Sequence, residues 1–178
     1  YDAPLCIRIF PAAMAPTRIK ICGITRPEDA HAAISSGADA IGLVFLANSP
    51  RTVTVDQALQ IAAVVPPLVD IVALFVDEPA ASIERILAVI PINLIQFHGE
   101  ESANFCQQFA RPWIKSLRVR AGVDLTQSCR HYRSARGVLL DSWQEGVPGG
   151  SGKAFDWQLA QVALPLPVIL AGGLHAGN

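Results

Sequence analysis

Short apolar runs of strand length recur along nearly the whole chain, and a stretch of helical character follows each of the first six. The runs are RIKICGI (18–24), DAIGLVF (39–45), VDIVALFV (69–76), NLIQFHG (93–99), PWIKSLRV (112–119), GVLLDS (137–142) and PVILAGG (167–173). Between them lie RPEDAHAAISSG, TVDQALQIAAVV, EPAASIERILAVI, ESANFCQQFA, DLTQSCRHYRSA and FDWQLAQVA. Several of these open with helix-start chemistry: Pro27 followed by Glu28 and Asp29, Thr54 ahead of Asp56, and Ser102 after Glu100 and Glu101. The runs start about 20 to 30 residues apart, the length of one β-loop-α-loop unit. Strict alternation of this kind places the strands in a parallel sheet, either doubly wound or closed into a barrel. No G-x-G-x-x-G follows the first run, which disfavours a doubly wound nucleotide-binding sheet. The count predicts an α/β fold of the (β/α)8 TIM-barrel type, with about seven of the eight units in this chain.

Bulk properties narrow the class further. A chain of 178 residues carries one domain with a sizeable core, and 51% hydrophobic residues suit a sheet buried on both faces. A net charge of −1 without any basic run argues against nucleic acid or an anionic membrane as partner. No apolar stretch reaches the roughly 18 residues of a membrane span. Cys6, Cys22, Cys106 and Cys129 are scattered without a C-x-x-C pair, which argues against a zinc site or a disulfide scaffold and fits reduced, cytoplasmic thiols. Residues 1–13, with a short apolar stretch broken by proline, are expected to be a non-native or upstream segment. Residues 14–178 then form the barrel, expected to be incomplete at the C-terminal end because AGGLHAGN reads as the middle of a loop.

Chemistry in α/β sheets and barrels sits at the carboxyl ends of the strands, so the polar residues there matter most. In the first run Lys20 and Cys22 share one face and Ile19 and Ile21 the other. The second run leads into LANSPRTV, with Arg51. The fourth ends in Gln96 and His98, on the face opposite Ile95 and Phe97. The sixth ends in Asp141 and the seventh in Gly172 and Gly173. Taken singly, each has a bland reading: a packing cysteine, a turn histidine, a capping aspartate, a solvated arginine. Delivered to one rim, they form a constellation. The glycines of GGSGK (Gly149, Gly150 and Gly152, before Lys153) and the Gly172–Gly173 pair let backbone N–H groups approach an anion, and barrel phosphate sites commonly use the last loops. GGSGK is not a Walker A loop, which needs four residues between its first glycine and Gly-Lys.

KICGIT (20–25), QFHGEE (96–101), LLDS (139–142), GGSGKAFDW (149–157) and ILAGGL (169–174) resemble the sequence blocks of the phosphoribosylanthranilate isomerase family, in family order and spacing. The resemblance covers nearly everything from Thr17 onward; Phe97 stands where the family commonly has Leu. It implies a (β/α)8 barrel that carries out an Amadori rearrangement in tryptophan biosynthesis, with no cofactor and no metal. N-(5-phosphoribosyl)anthranilate becomes 1-(o-carboxyphenylamino)-1-deoxyribulose 5-phosphate. The resemblance further implies Cys22 as general base and Asp141 as general acid. Arg51 is then expected to hold the anthranilate carboxylate, His98 to line the substrate site, and the backbone around Gly172 and Gly173 to take the phosphate. Gln96 is a supporting residue. Lys20, roughly 7 Å along the same strand face, is placed to favour a thiolate on Cys22; the competing reading has it filling the lower barrel layer with its own ion pair. The partner expected is a small phosphorylated substrate, with neither nucleic acid nor membrane, and the protein a monomer or homodimer. Two other readings stay open. One is another phosphate-binding barrel enzyme of tryptophan or histidine biosynthesis, such as indole-glycerol-phosphate synthase, which the Cys and Asp positions disfavour. The other is a truncated barrel without catalysis.

Overall fold

The computed structural model describes residues 17–120, 122–142, 163–175 and 177. The 1–13 segment, the GGSGKAFDW block and residues 155–162 of the helix expected over 155–163 lie outside the described residues. Chain order gives β1 (Lys20–Cys22), α1 (Pro27–Ser35), β2 (Ala40–Val44), α2 (Val55–Ala62), β3 (Asp70–Phe75) and α3 (Ala80–Val89). It continues with β4 (Leu94–Phe97), α4 (Ala103–Gln107), β5 (Trp113–Val119), α5 (Leu125–His131), β6 (Val138–Ser142) and β7 (Val168–Leu170).

All seven strands join one sheet in the order β1-β2-β3-β4-β5-β6-β7, each parallel to its chain neighbour. A doubly wound sheet reverses its strand order at a switch point. Consecutive order throughout is the winding of a barrel, and it decides between the two architectures the alternation allowed.

The helices start where the sequence marks them. Pro27 occupies the first turn of α1, and the Arg26 guanidinium reaches forward to both carboxylate oxygens of Asp29, at 2.7 and 2.9 Å. Thr54 caps α2 through a reciprocal box: its hydroxyl accepts the Gln57 N–H at 3.2 Å, and the Gln57 side chain accepts the Thr54 N–H at 2.9 Å. Ser102 and Asp124 cap α4 and α5 in the same one-sided way, each accepting an N–H three residues on.

Strand ends are shorter than the apolar runs. The run over 18–24 yields only Lys20–Cys22, because Gly23 adopts a φ of +87° and closes the strand. At the other end of the sheet Gly172 and Gly173, at φ +79° and +67°, stop the ladder after Leu170.

Alternate residues of each strand face the helices. Ile41 and Leu43, Ile71, Ala73 and Phe75, and Ile95 and Phe97 pack with Ala30, Ala58, Ile61, Ile83 and Phe109 in the main core. A smaller cluster joins Val119, Val138 and Leu140 to Leu125 and Cys129 of α5. The residues between them in sequence point to the opposite, inner side of the wall. Because the α2 cap satisfies two backbone groups at once, Thr54→Ala is expected to lower the unfolding free energy by about 1 kcal/mol in urea denaturation.

Candidate active site

Two groups of side chains form at the carboxyl ends of the strands. The first belongs to β1 and β2. Cys22 is the register partner of Gly42, and a Cβ at Gly42 would lie 2.8 Å from Cys22 Sγ and 3.0 Å from Lys20 Nζ. Thiol and ammonium therefore converge over the same bare Cα. The loop after β2 then doubles back: Thr52 bridges Val44, and the Val53 N–H donates to Val44 O at 3.0 Å. That return carries Arg51 to the end of β1, where its guanidinium and its Cδ lie against Gly23; a Cβ there would meet Arg51 Cδ at 2.5 Å. Gly23 is thus required twice, by its positive φ and by the side chain resting on it.

The second group spans β4, β6 and β7. Gln96 Nε2 donates to His98 Nδ1 at 3.0 Å, so that nitrogen is an acceptor and the ring proton sits on Nε2. His98 Nε2 in turn donates to Asp141 Oδ2 at 3.1 Å, and the Ser142 N–H donates to Asp141 Oδ1 at 2.9 Å. His98 and Asp141 are separated by 43 residues in the chain, and both side chains are about nine-tenths buried. Gly172 completes the group, since a Cβ on it would strike Asp141 Oδ1 and Ser142 at 2.8 Å.

The candidates therefore sort cleanly. Lys20, Cys22 and Arg51 meet at the first strand, and Gln96, His98, Asp141 and Gly172 at the far side of the sheet; Gly173 follows in the same turn. Gly149, Gly150, Gly152 and Lys153 lie outside the described residues. Beside His98 opens a cavity of about 280 Å³ whose walls include Ser116, Arg118, Arg120 and Tyr132. Ser116 Oγ, in that wall, and Gln96 Oε1, on the strand beside it, are buried without a hydrogen-bond partner among the described residues. Sequence reading passed over Ser116 and Arg118; their one signal is strand period, since both share the inner face with Ile114.

Parallel strands in chain order, with ionisable side chains gathered at their carboxyl ends, define the class as an α/β barrel of the (β/α)8 type. The comparisons with known proteins narrow that class to one family. The family model for N-(5'-phosphoribosyl)anthranilate (PRA) isomerase matches residues 19–178. An N-(5'-phosphoribosyl)anthranilate isomerase from Alcanivorax borkumensis is 56% identical over 165 residues, which is 93% of this chain and 76% of that one. The crystal structure of phosphoribosyl anthranilate isomerase from Thermus thermophilus superposes with a TM-score of 0.81 at 32% identity, covering 91% of this chain and 80% of that one. A phosphoribosyl anthranilate isomerase in complex with reduced 1-(o-carboxyphenylamino)-1-deoxyribulose 5-phosphate gives a TM-score of 0.75 at 34% identity, covering 89% and 76%. The chain belongs to the N-(5'-phosphoribosyl)anthranilate isomerase family.

The described cysteines differ sharply in surroundings. Cys22 is partly exposed at the rim, whereas Cys106 and Cys129 are buried in the core. Burial, seconded by Glu101, pushes the Cys106 thiol up to about 12, and burial raises Cys129 as well. Alkylation requires an accessible thiolate. In a Cys6→Ser background, iodoacetamide at mildly alkaline pH is expected to label Cys22 alone, as read by mass spectrometry of peptides; labelling of Cys106 in the folded protein would contradict the packing.

Proposed function

We propose that this chain converts N-(5-phosphoribosyl)anthranilate into 1-(o-carboxyphenylamino)-1-deoxyribulose 5-phosphate, with Cys22 as general base and Asp141 as general acid. The observation that carries the role assignment is the built hydrogen-bond chain Gln96–His98–Asp141 at the rim, on the same strand ends as a partly exposed thiol. The family relationship and the solved relative holding a reduced product analogue support the choice of substrate.

The aminoaldose ring opens when a proton reaches the furanose oxygen. Asp141 supplies it from its protonated form, and the carboxylate left behind is held by His98 Nε2–H on one oxygen and the Ser142 N–H on the other. Ring opening leaves a protonated Schiff base, which acidifies the C2′ hydrogen, so a modest base suffices to remove it. Cys22 as thiolate takes that proton; Lys20, over the same Gly42, favours the negative charge. The resulting enolamine tautomerises to the ketone. Arg51, resting on Gly23 next to Cys22, is placed for the anthranilate carboxylate, a planar acceptor that suits its fork of N–H donors. The phosphate is assigned to the backbone turn at Gly172 and Gly173. The catalytic domain is residues 14–178, and the protein is a cytoplasmic monomer or homodimer; among the described residues no helix is long and apolar enough to cross a membrane.

Three variants separate these roles in a steady-state assay with the phosphoribosylated substrate. Cys22→Ala and Asp141→Asn are expected to lower kcat by about 10²-fold or more each without changing the melting temperature. Arg51→Ala is expected to act mainly on KM. Retained turnover in a chain lacking both Cys22 and Asp141 would refute the assignment. Lys20→Met is expected to lower kcat with the melting temperature unchanged; wild-type turnover in that variant would remove Lys20 from the mechanism.

A further inference from the structure

Lys115 and Glu101 form an ion pair in which both side chains are only 2% exposed, and the chemistry above uses neither. Lys115 is the register partner of Phe97, so it lies on the helix-facing side of the wall, in the outer core. Desolvating such a pair is costly, and well-packed apolar side chains there are commonly as stable or more so. The contacts indicate what the pair secures instead.

Lys115 Nζ donates to the carbonyls of Phe97 at 3.5 Å and Gly99 at 2.6 Å, one on either side of His98, and to Glu101 Oε2 at 3.2 Å. The other oxygen of Glu101 accepts the N–H groups of Asp77 at 2.9 Å and Gly99 at 3.2 Å. Asp77 Oδ1 accepts the Glu100 N–H at 2.7 Å, and the Tyr132 hydroxyl donates to the Glu101 carbonyl at 3.1 Å. The Tyr132 ring faces the ammonium, 5.6 Å from its centroid. The N–H of His98 itself donates to Phe75 O at 2.8 Å. The peptide groups on both sides of His98 are thereby fixed from outside the barrel, while its imidazole is fixed from inside by Gln96 and Asp141.

We infer that Glu101 and Lys115 are positioning residues for His98: they lock the main chain over residues 97–99 so that the imidazole meets Asp141 at hydrogen-bond distance. The inference rests on the reading that the His98–Asp141 pair serves the isomerisation. A pair that merely anchored the loop would change stability and leave turnover per folded molecule alone.

The test is the double variant Glu101→Gln with Lys115→Met, which removes both charges and keeps an oxygen acceptor and an unbranched stem. Misplacing a reacting group by an ångström can cost about 10²-fold, so kcat is expected to fall about tenfold or more with KM held within about threefold. The 15N resonance of His98 Nε2, assigned by comparison with a His98→Asn sample, is expected to lose the signature of its bond to Asp141. A lowered melting temperature with wild-type kcat and an unshifted His98 resonance overturns the inference. Should the double variant not fold, Tyr132→Phe, which removes only the hydroxyl holding the Glu101 carbonyl, decides the matter. It is expected to lower kcat about threefold and move the same resonance; no change in either overturns the inference. If the wild-type chain does not turn over the phosphoribosylated substrate, the functional reading fails, and the His98 resonance in both variants still decides the positioning.

Discussion

Strands that lie parallel to their chain neighbours must each be followed by a helix that returns over the same side of the sheet, and this commits alternate side chains to two unlike surroundings. On β4, Ile95 and Phe97 go to the helix layer, and Gln96 and His98 go to the inner side. On β6, Val138 and Leu140 go outward and Asp141 inward. Shifting any strand by one residue would exchange the two sets, sending carboxylate and imidazole into the apolar layer. The register that buries the core is therefore the register that assembles the rim, and stability and chemistry are specified together.

Polar groups nonetheless occupy both sides of the wall at β4 and β5, and the two sets differ in kind. The inner set is Gln96, His98, Asp141 and Ser116; His98 and Ser116 border the cavity, and Gln96 and Ser116 retain buried atoms without a partner among the described residues. The outer set, Glu101 and Lys115, is only 2% exposed and hydrogen-bonded to main-chain groups, although Lys115 and Tyr132 also form part of the cavity wall. The hydrogen-bonded network thus braces the wall on one side, and unused acceptor and donor capacity remains on the other.

Much of this was legible in the residues. The alternation of apolar runs and capped segments foretold the parallel sheet, and Pro27, Thr54 and Ser102 mark helix starts where the structure has them. The shared face of Lys20 and Cys22 also followed from strand period alone. Strand lengths did not, because an apolar run carries no notice that Gly23 will turn to positive φ and stop the ladder. Partnerships across strands were invisible for a different reason: His98 and Asp141 are joined only by folding, and nothing local to either announces the other. Lys115 was the subtlest omission. In PWIKSLRV it falls in step with Trp113 and Leu117 on the apolar face, and a lysine in that phase signals a buried counter-charge, which Glu101 provides.

Gly42 illustrates how a reactive group can be encoded away from itself. The space that Lys20 and Cys22 occupy exists because the adjoining strand presents hydrogen where other residues would present carbon. Any side chain at position 42 would press on the Cys22 thiol and the Lys20 ammonium, so the room for the reactive group is written on the neighbouring strand.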